Sequence, residues 1–225
     1  MTTYMPLHLK CAVCGRKSTH SKLSSTNTMG PPDLDLRPAE MKRSTMEMWV
    51  QKCPHCGYCA TPIDKEREGA REVMGGDRYR ELSQNQAYPE LARNFLCASL
   101  ILESAGEYVE AAWQSLYAAW TCDDGEKEEL AKDCRLAAFQ LFSRARDRGE
   151  RILEDEGAEE LVLADILRRS GSFDHALRLC EEGMRKSPDR FFSRLLKFER
   201  SLIKRKGTGL YRVEDAIPAS ELCDR

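Results

Sequence analysis

Long apolar runs are missing from this chain of 225 residues. None approaches the ~18 residues that a membrane-spanning helix requires. The opening MTTYMPLHLKC lacks the apolar stretch of a signal peptide. A soluble, cytoplasmic protein with no membrane partner is therefore expected. Histidine is scarce as well: four residues, at 8, 20, 55 and 175, form no cluster along the chain. There is no Gly-rich phosphate loop, no G-x-S-x-G turn and no His-Glu metal motif. These absences remove the common signatures of nucleotide hydrolysis, acyl transfer and metalloprotease chemistry, and no enzyme is expected. Aromatics make up only 8%, but a hydrophobic fraction of 41% still suffices for a packed core. The length fits one large domain or two small ones.

Charge is uneven. Residues 1–60 hold eight Lys/Arg and four Asp/Glu, a formal +4, so the rest of the chain carries −6 of the total −2. A basic start can mean nucleic acid. A tetrathiolate zinc centre, however, adds about −2 that formal counts omit, and Lys10, Arg16, Lys17 and Lys52 would offset it.

What the sequence does have is cysteine: ten, at 11, 14, 53, 56, 59, 97, 122, 134, 180 and 223. In a reducing compartment these do not read as a disulfide framework. Cys11-Ala-Val-Cys14-Gly15 and Cys53-Pro-His-Cys56-Gly57 are two C-x-x-C-G knuckles. Two intervening residues let a tight turn present both thiolates to one ion, and the glycine tolerates a left-handed backbone. Pro54 pre-sets the second turn. Together Cys11, Cys14, Cys53 and Cys56 offer four soft ligands, which suits Zn2+ in a closed, structural site. Competing readings are weaker. C-x-x-C-x-x-C over 53–59 resembles the start of an iron–sulfur run but lacks its completion. A dithiol redox pair lacks a βαβ context. His55 should point out of the knuckle, and His20 reads as a surface loop residue. Cys59, beyond Gly57, reads as a packed thiol, with ligation as the alternative. Cys97, Cys134 and Cys180 lie on amphipathic helical stretches as small hydrophobes; Cys122 and Cys223 fall near ends or turns.

The chain is expected to be mainly α: a small zinc-ribbon-like β module over 1–62, connecting helices over 63–88, and tetratricopeptide-like helical hairpins over 89–225. Met46, Met48 and Val50 alternate, predicting a strand into the second knuckle. Ser24–Pro38 reads as a loop. Its Asp33, Asp35 and Arg37 invite a catalytic reading, but Asp–Arg pairing across a turn is preferred. Helices are predicted over 64–74, 77–84, 89–104, 109–120, 126–146, 161–169, 174–186 and 190–205, the last stopped by Gly207.

Gly106 and Gly171 mark two similar helix–helix turns. Aligned on them, Phe95, Ala98, Leu102, Ala111 and Ala118 match Glu160, Leu163, Leu167, Ala176 and Gly183, a repeat spaced by 65 residues. This resembles the tetratricopeptide repeat, and Pro188 falls where that repeat ends its second helix. Glu160 departs from it by replacing a large aromatic; an ordinary helical bundle with two similar hairpins is the alternative.

C-x-x-C-G, P-D-L-D-L-R-P, W-V-x-x-C-P-H-C-G-Y and the repeat-like end together resemble a bacterial family of uncharacterised proteins, domain of unknown function 2225. The resemblance covers most of the chain, and Gly57-Tyr58 after the second knuckle is its most specific part. It implies a cytoplasmic bacterial protein with a zinc-ribbon-like start and no established reaction.

The leading functional reading is a zinc-binding, non-catalytic interaction or scaffold protein. Stacked hairpins form a concave surface suited to a protein or peptide segment, and by fold analogy Arg93, Glu103, Asp165, Arg168 and Arg169 would line that partner groove. The alternative is nucleic-acid binding through Lys10, Arg16, Lys17, Lys22, Lys42, Arg43 and Lys52, with few aromatics nearby.

Overall fold

In a computed structural model, which describes residues 1–186 and 188–217, the protein is mainly helical with a small N-terminal β region. Its residues sort into two compact units. The first comprises residues 1–27 and 41–145; the second comprises 28–40 and 146–225. Residues 63–145 thus group with the N-terminal module, and the loop excursion groups with the C-terminal helices.

The first unit opens with an antiparallel ribbon of β1 (Thr3–Lys10) and β2 (Lys17–Ser25). The first knuckle is the turn at its tip. A 3-10 helix follows at Arg43–Met48, where sequence alternation predicted a strand. Thr45 explains the difference: its Oγ1 donates to the Lys42 carbonyl at 2.7 Å and accepts from Trp49 Nε1 at 3.0 Å, tying one helical turn together. Met46 and Val50, four apart, are then both buried. The strand shrinks to β3 (Gln51–Lys52), which pairs with β4 (Cys59–Ala60) around the second knuckle.

Helix α1 (Ala70–Gly75) also starts later than predicted. The Tyr58 hydroxyl donates to the Lys65 carbonyl at 2.7 Å and accepts from the Arg67 N–H at 3.3 Å, drawing those backbone groups out of a helical ladder. Helices α2 (Asp77–Gln84), α3 (Glu90–Ser104), α4 (Tyr108–Asp124) and α5 (Glu128–Asp147) follow. Alanines 98, 111, 112, 118 and 119 are buried and let α3 and α4 approach closely. Tyr117 gathers Trp49, Phe95 and Trp120 at ring distances of 5.1–5.5 Å, concentrating the few aromatics in one core.

In the second unit α6 (Ala158–Arg169) and α7 (Phe173–Arg185) repeat the hairpin, followed by α8 (Arg190–Lys204) and the short α9 (Val213–Ala216). The two hairpin turns are alike. Gly106 and Gly171 take φ of 77° and 82°, and the next N–H reaches back to Leu102 and Leu167 respectively. Gly183 marks the close crossing in the second copy, where an added Cβ would stand 2.9 Å from Glu160 Cβ. Glu160 is fully buried and bonds Lys186 and Arg146, so an ion cluster fills the aromatic's place. Helix α8 ends as expected, but Lys206 adopts the left-handed turn (φ 54°) and Gly207 donates to Leu202.

Candidate metal centre and helical clefts

The two knuckles are built alike. Cys11 N–H bonds Arg16 O at 2.9 Å and Gly15 N–H bonds Cys11 O at 2.8 Å; Cys53 to Tyr58 and Gly57 to Cys53 repeat this at 2.8 and 2.9 Å. Gly15 and Gly57 take φ of 73° and 80°, the backbone that lets each turn close. The result is a tetrad in which the Sγ atoms of Cys11, Cys14, Cys53 and Cys56 all lie within 4.8 Å of one another. Cys11–Cys56 and Cys14–Cys53 are each 3.7 Å apart. A tetrahedral ion with metal–sulfur bonds of ~2.3 Å demands sulfur–sulfur edges of ~3.8 Å, so the donors fit a tetrahedral metal.

Burial raises all three perturbed thiols of the tetrad. At Cys53 the N–H groups of Cys56 and His55 and neighbouring thiols outweigh it, bringing the thiol to about 7, whereas contacts with the other thiols help push Cys56 up to about 12. Thiols this close share protons, which a divalent cation would replace.

Cys59 is not in the tetrad. It is buried against Cys97 of α3, and its hydrogen bond with Cys97, followed by burial, raises it far above the usual thiol range. It packs as a small buried group. Cys97, Cys122, Cys134 and Cys180 are likewise free and buried; Cys223 lies outside the described residues. His55 points out of its knuckle to Lys17 O at 3.2 Å. His20 is on β2 rather than a loop, half-buried and 2.8 Å from Ser18 Oγ. Tyr79, whose hydroxyl donates to Gly57 O at 2.7 Å, fastens the second knuckle to α2; nothing in the local spacing announced it.

Of the five expected groove residues, Arg93 and Glu103 belong to the first unit and Asp165, Arg168 and Arg169 to the second. In the first unit Arg93 is buried and donates to Asn85 O at 3.3 Å. Glu103 lies at one end of a cleft of about 260 Å³ among α2, α3 and α5, paired with Arg144 at 2.5 Å and Arg78 at 3.4 Å. Leu82, Leu96, Leu100, Ala137 and Leu141 form its apolar lining.

In the second unit Asp165, Arg168 and Arg169 are buried, so they do not line an open groove. Arg168, at the position matching Glu103, bonds Asp165 and Glu199 and the carbonyls of Gly207 and Gly209. Arg169 pairs at 3.1 Å with Asp35, 134 residues earlier. The segment 28–40 is thus a loop, as expected, and one that straps the second unit. Leu34 N–H bonds Tyr211 O, Val213 N–H bonds Pro32 O, and Asp33, Leu34, Asp35 and Arg37 are all buried. Asp35 accepts from the Arg37 backbone N–H across the turn and also pairs with Arg169 on α6.

Among the described residues no helix is long and apolar enough to cross a membrane. Comparison with known proteins finds no matching family model, curated protein or solved structure.

Proposed function

We propose that the chain is a non-catalytic binding protein, held in shape by one structural Zn2+, which takes a segment of a partner protein in the cleft of its first unit. The observation that carries the zinc reading is the sulfur spacing of 3.7 Å at two ligand pairs, matched to a tetrahedral zinc–thiolate shell. Four protein thiolates close that shell, leaving no position for substrate, so the ion's role is to hold the two knuckles together. The cleft supports the binding role. It combines an apolar lining with a charged end, whereas the matching face of the second unit is filled by its own ion network and Tyr211, whose ring lies 5.4 Å from Arg168. Tetratricopeptide-like stacking of the hairpins belongs to the same reading. The free cysteines support a reducing, cytoplasmic setting. The resemblance to domain of unknown function 2225 agrees with this and adds no reaction.

Two measurements test it. Elemental analysis of purified protein should give one zinc per chain, and Cys14→Ser or Cys53→Ser should lose it; iron with sulfide, or fully folded metal-free protein, contradicts the assignment. A photo-crosslinking residue at Gln140, beside the cleft, should capture a reproducible protein that Leu100→Glu releases. Identical capture by the Leu100→Glu protein contradicts the cleft.

A further inference from the structure

The positive charge of the first unit is concentrated in its metal-bearing segments. Residues 1–27 and 41–62 carry seven cations (Lys10, Arg16, Lys17, Lys22, Lys42, Arg43, Lys52) against one acid, a formal +6.

 Glu47 is the single acid of those two segments. A tetrathiolate centre holding a divalent ion subtracts about two charges, and the module stays clearly basic. Arg43 pairs with Asp124 at 3.0 Å and Lys52 approaches Glu90 at 3.8 Å. Among the described residues, Lys10, Arg16, Lys17, Lys22 and Lys42 pair with no carboxylate, and all five are exposed.

The ribbon gives these cations a defined surface. Residues directly opposite one another in an antiparallel pair share a face. Tyr4/Leu23, Pro6/Ser21, His8/Thr19 and Lys10/Lys17 therefore form one face, and Met5/Lys22, Leu7/His20 and Leu9/Ser18 the other. The second face turns inward next to the knuckle, where Leu9 is buried and Leu7, Ser18 and His20 are half-buried; Met5 and Lys22, farther along it, are exposed. The first is open: Tyr4 is 68% exposed, and Pro6, His8, Lys10, Lys17, Thr19 and Ser21 are exposed with it. It presents cations, hydroxyls and an imidazole, and residues 1–27 contain no acid at all.

We propose that the open face of the β1–β2 ribbon binds duplex DNA, lying in the major groove with Lys10, Lys17 and, in the connecting turn, Arg16 on the phosphates. Charge complementarity selects a polyanion. The B-form major groove, about 12 Å wide, admits a two-stranded ribbon, whereas the A-form RNA groove is too narrow for side chains to read. One exposed tyrosine is too little for a stacking path along single-stranded nucleic acid. The contacts are to the backbone, so the binding is independent of sequence. This proposal stands apart from the cleft, on different residues.

The test uses full-length, zinc-loaded protein and a fluorescein-labelled 20-base-pair duplex of mixed sequence, read by anisotropy. Three phosphate contacts predict saturable binding that weakens about 40-fold between 50 and 200 mM salt. Lys10→Glu/Arg16→Glu/Lys17→Glu should weaken it at least tenfold at low salt. The matched reversal Lys197→Glu/Lys204→Glu/Lys206→Glu, on the second unit, should not. Zinc content and circular dichroism confirm that each variant is folded; if the ribbon reversal loses zinc, Lys10→Gln/Arg16→Gln/Lys17→Gln replaces it, with a smaller loss expected in the same direction. No saturable binding at 50 mM salt, salt-insensitive binding, or wild-type affinity in the folded ribbon variants overturns the proposal. Tighter binding of heparin, single-stranded DNA or duplex RNA overturns the choice of duplex DNA.

Discussion

Replacing Arg169 by Met should loosen the second unit and release its strap. Asp35 is fully buried and the Arg169 side chain is 7% exposed, so their 3.1 Å pair lies beyond the screening that weakens surface ion pairs. Removing one partner of a buried pair strands the other charge, at a cost of about 3–5 kcal/mol. A unit of about 90 residues has a total stability of about 5–14 kcal/mol, so this single change consumes a large share of it. The melting temperature of the unit should fall by roughly 12 °C or more. Tryptophan fluorescence is blind to this, because Trp49, Trp113 and Trp120 all belong to the first unit. Amide hydrogen exchange is the suitable assay. Peptides over 30–38 and 158–169 should lose protection together, as they are tied by the same pair. The double variant Asp35→Leu/Arg169→Met removes both charges of the pair and should recover more than half of the loss. A cost below about 1 kcal/mol for Arg169→Met, the value of a surface pair, would refute the reasoning. So would loss of protection in α6 with the strap unaffected.

The knuckles were legible in the sequence because metal ligation is written locally: four residues per turn, a glycine after each, and a fixed requirement for thiolate. The helices were legible for a similar reason, since their apolar stripes and glycine turns recur within a few residues. The strap was not, because Asp35 finds Arg169 only after 134 intervening residues. Periodicity showed which face of α6 carries Asp165, Arg168 and Arg169, but it is silent on what covers that face. A signal was nonetheless present. Glu160 stands where the first hairpin has Phe95, and Glu199 stands four residues after Leu195 on the inward stripe of α8. Charges at core positions need buried partners, and the acidic and basic residues of P-D-L-D-L-R-P were available. Short segments failed differently. Side-chain hydrogen bonds from Thr45 and Tyr58 override the patterns over 46–52 and 64–69, and single hydroxyls leave no periodic trace.

Other expectations concern single side chains. Cys59→Ala should keep the metal and cost at most about 1–2 kcal/mol, since one small buried group replaces another; weaker zinc retention than wild type in a chelator titration would show that Cys59 is a ligand. Gly183→Ala should destabilise the second unit by about 1–3 kcal/mol despite alanine's better helix propensity, because its Cβ would stand 2.9 Å from Glu160 Cβ and 3.1 Å from Leu196; an unchanged urea midpoint by amide exchange would show that the crossing can relax. The last expectation concerns pH. Glu199 is buried beside Asp165, and burial, reinforced by that carboxylate and only partly offset by Arg168, raises it from 4.5 to about 8. Between those values the folded unit holds a proton that the unfolded chain has released, so unfolding liberates a proton and stability falls as pH rises. The contribution is fully present below about pH 4.5 and is lost as pH rises through about 8. Glu199→Gln cannot titrate, so it should flatten the decline in exchange-derived stability between pH 6 and 9. Parallel declines in the wild type and the variant would mean that the proton is held elsewhere in the Asp165–Arg168–Glu199 cluster, and a stability that rises over this range would mean that Glu199 is ionised against Arg168 throughout.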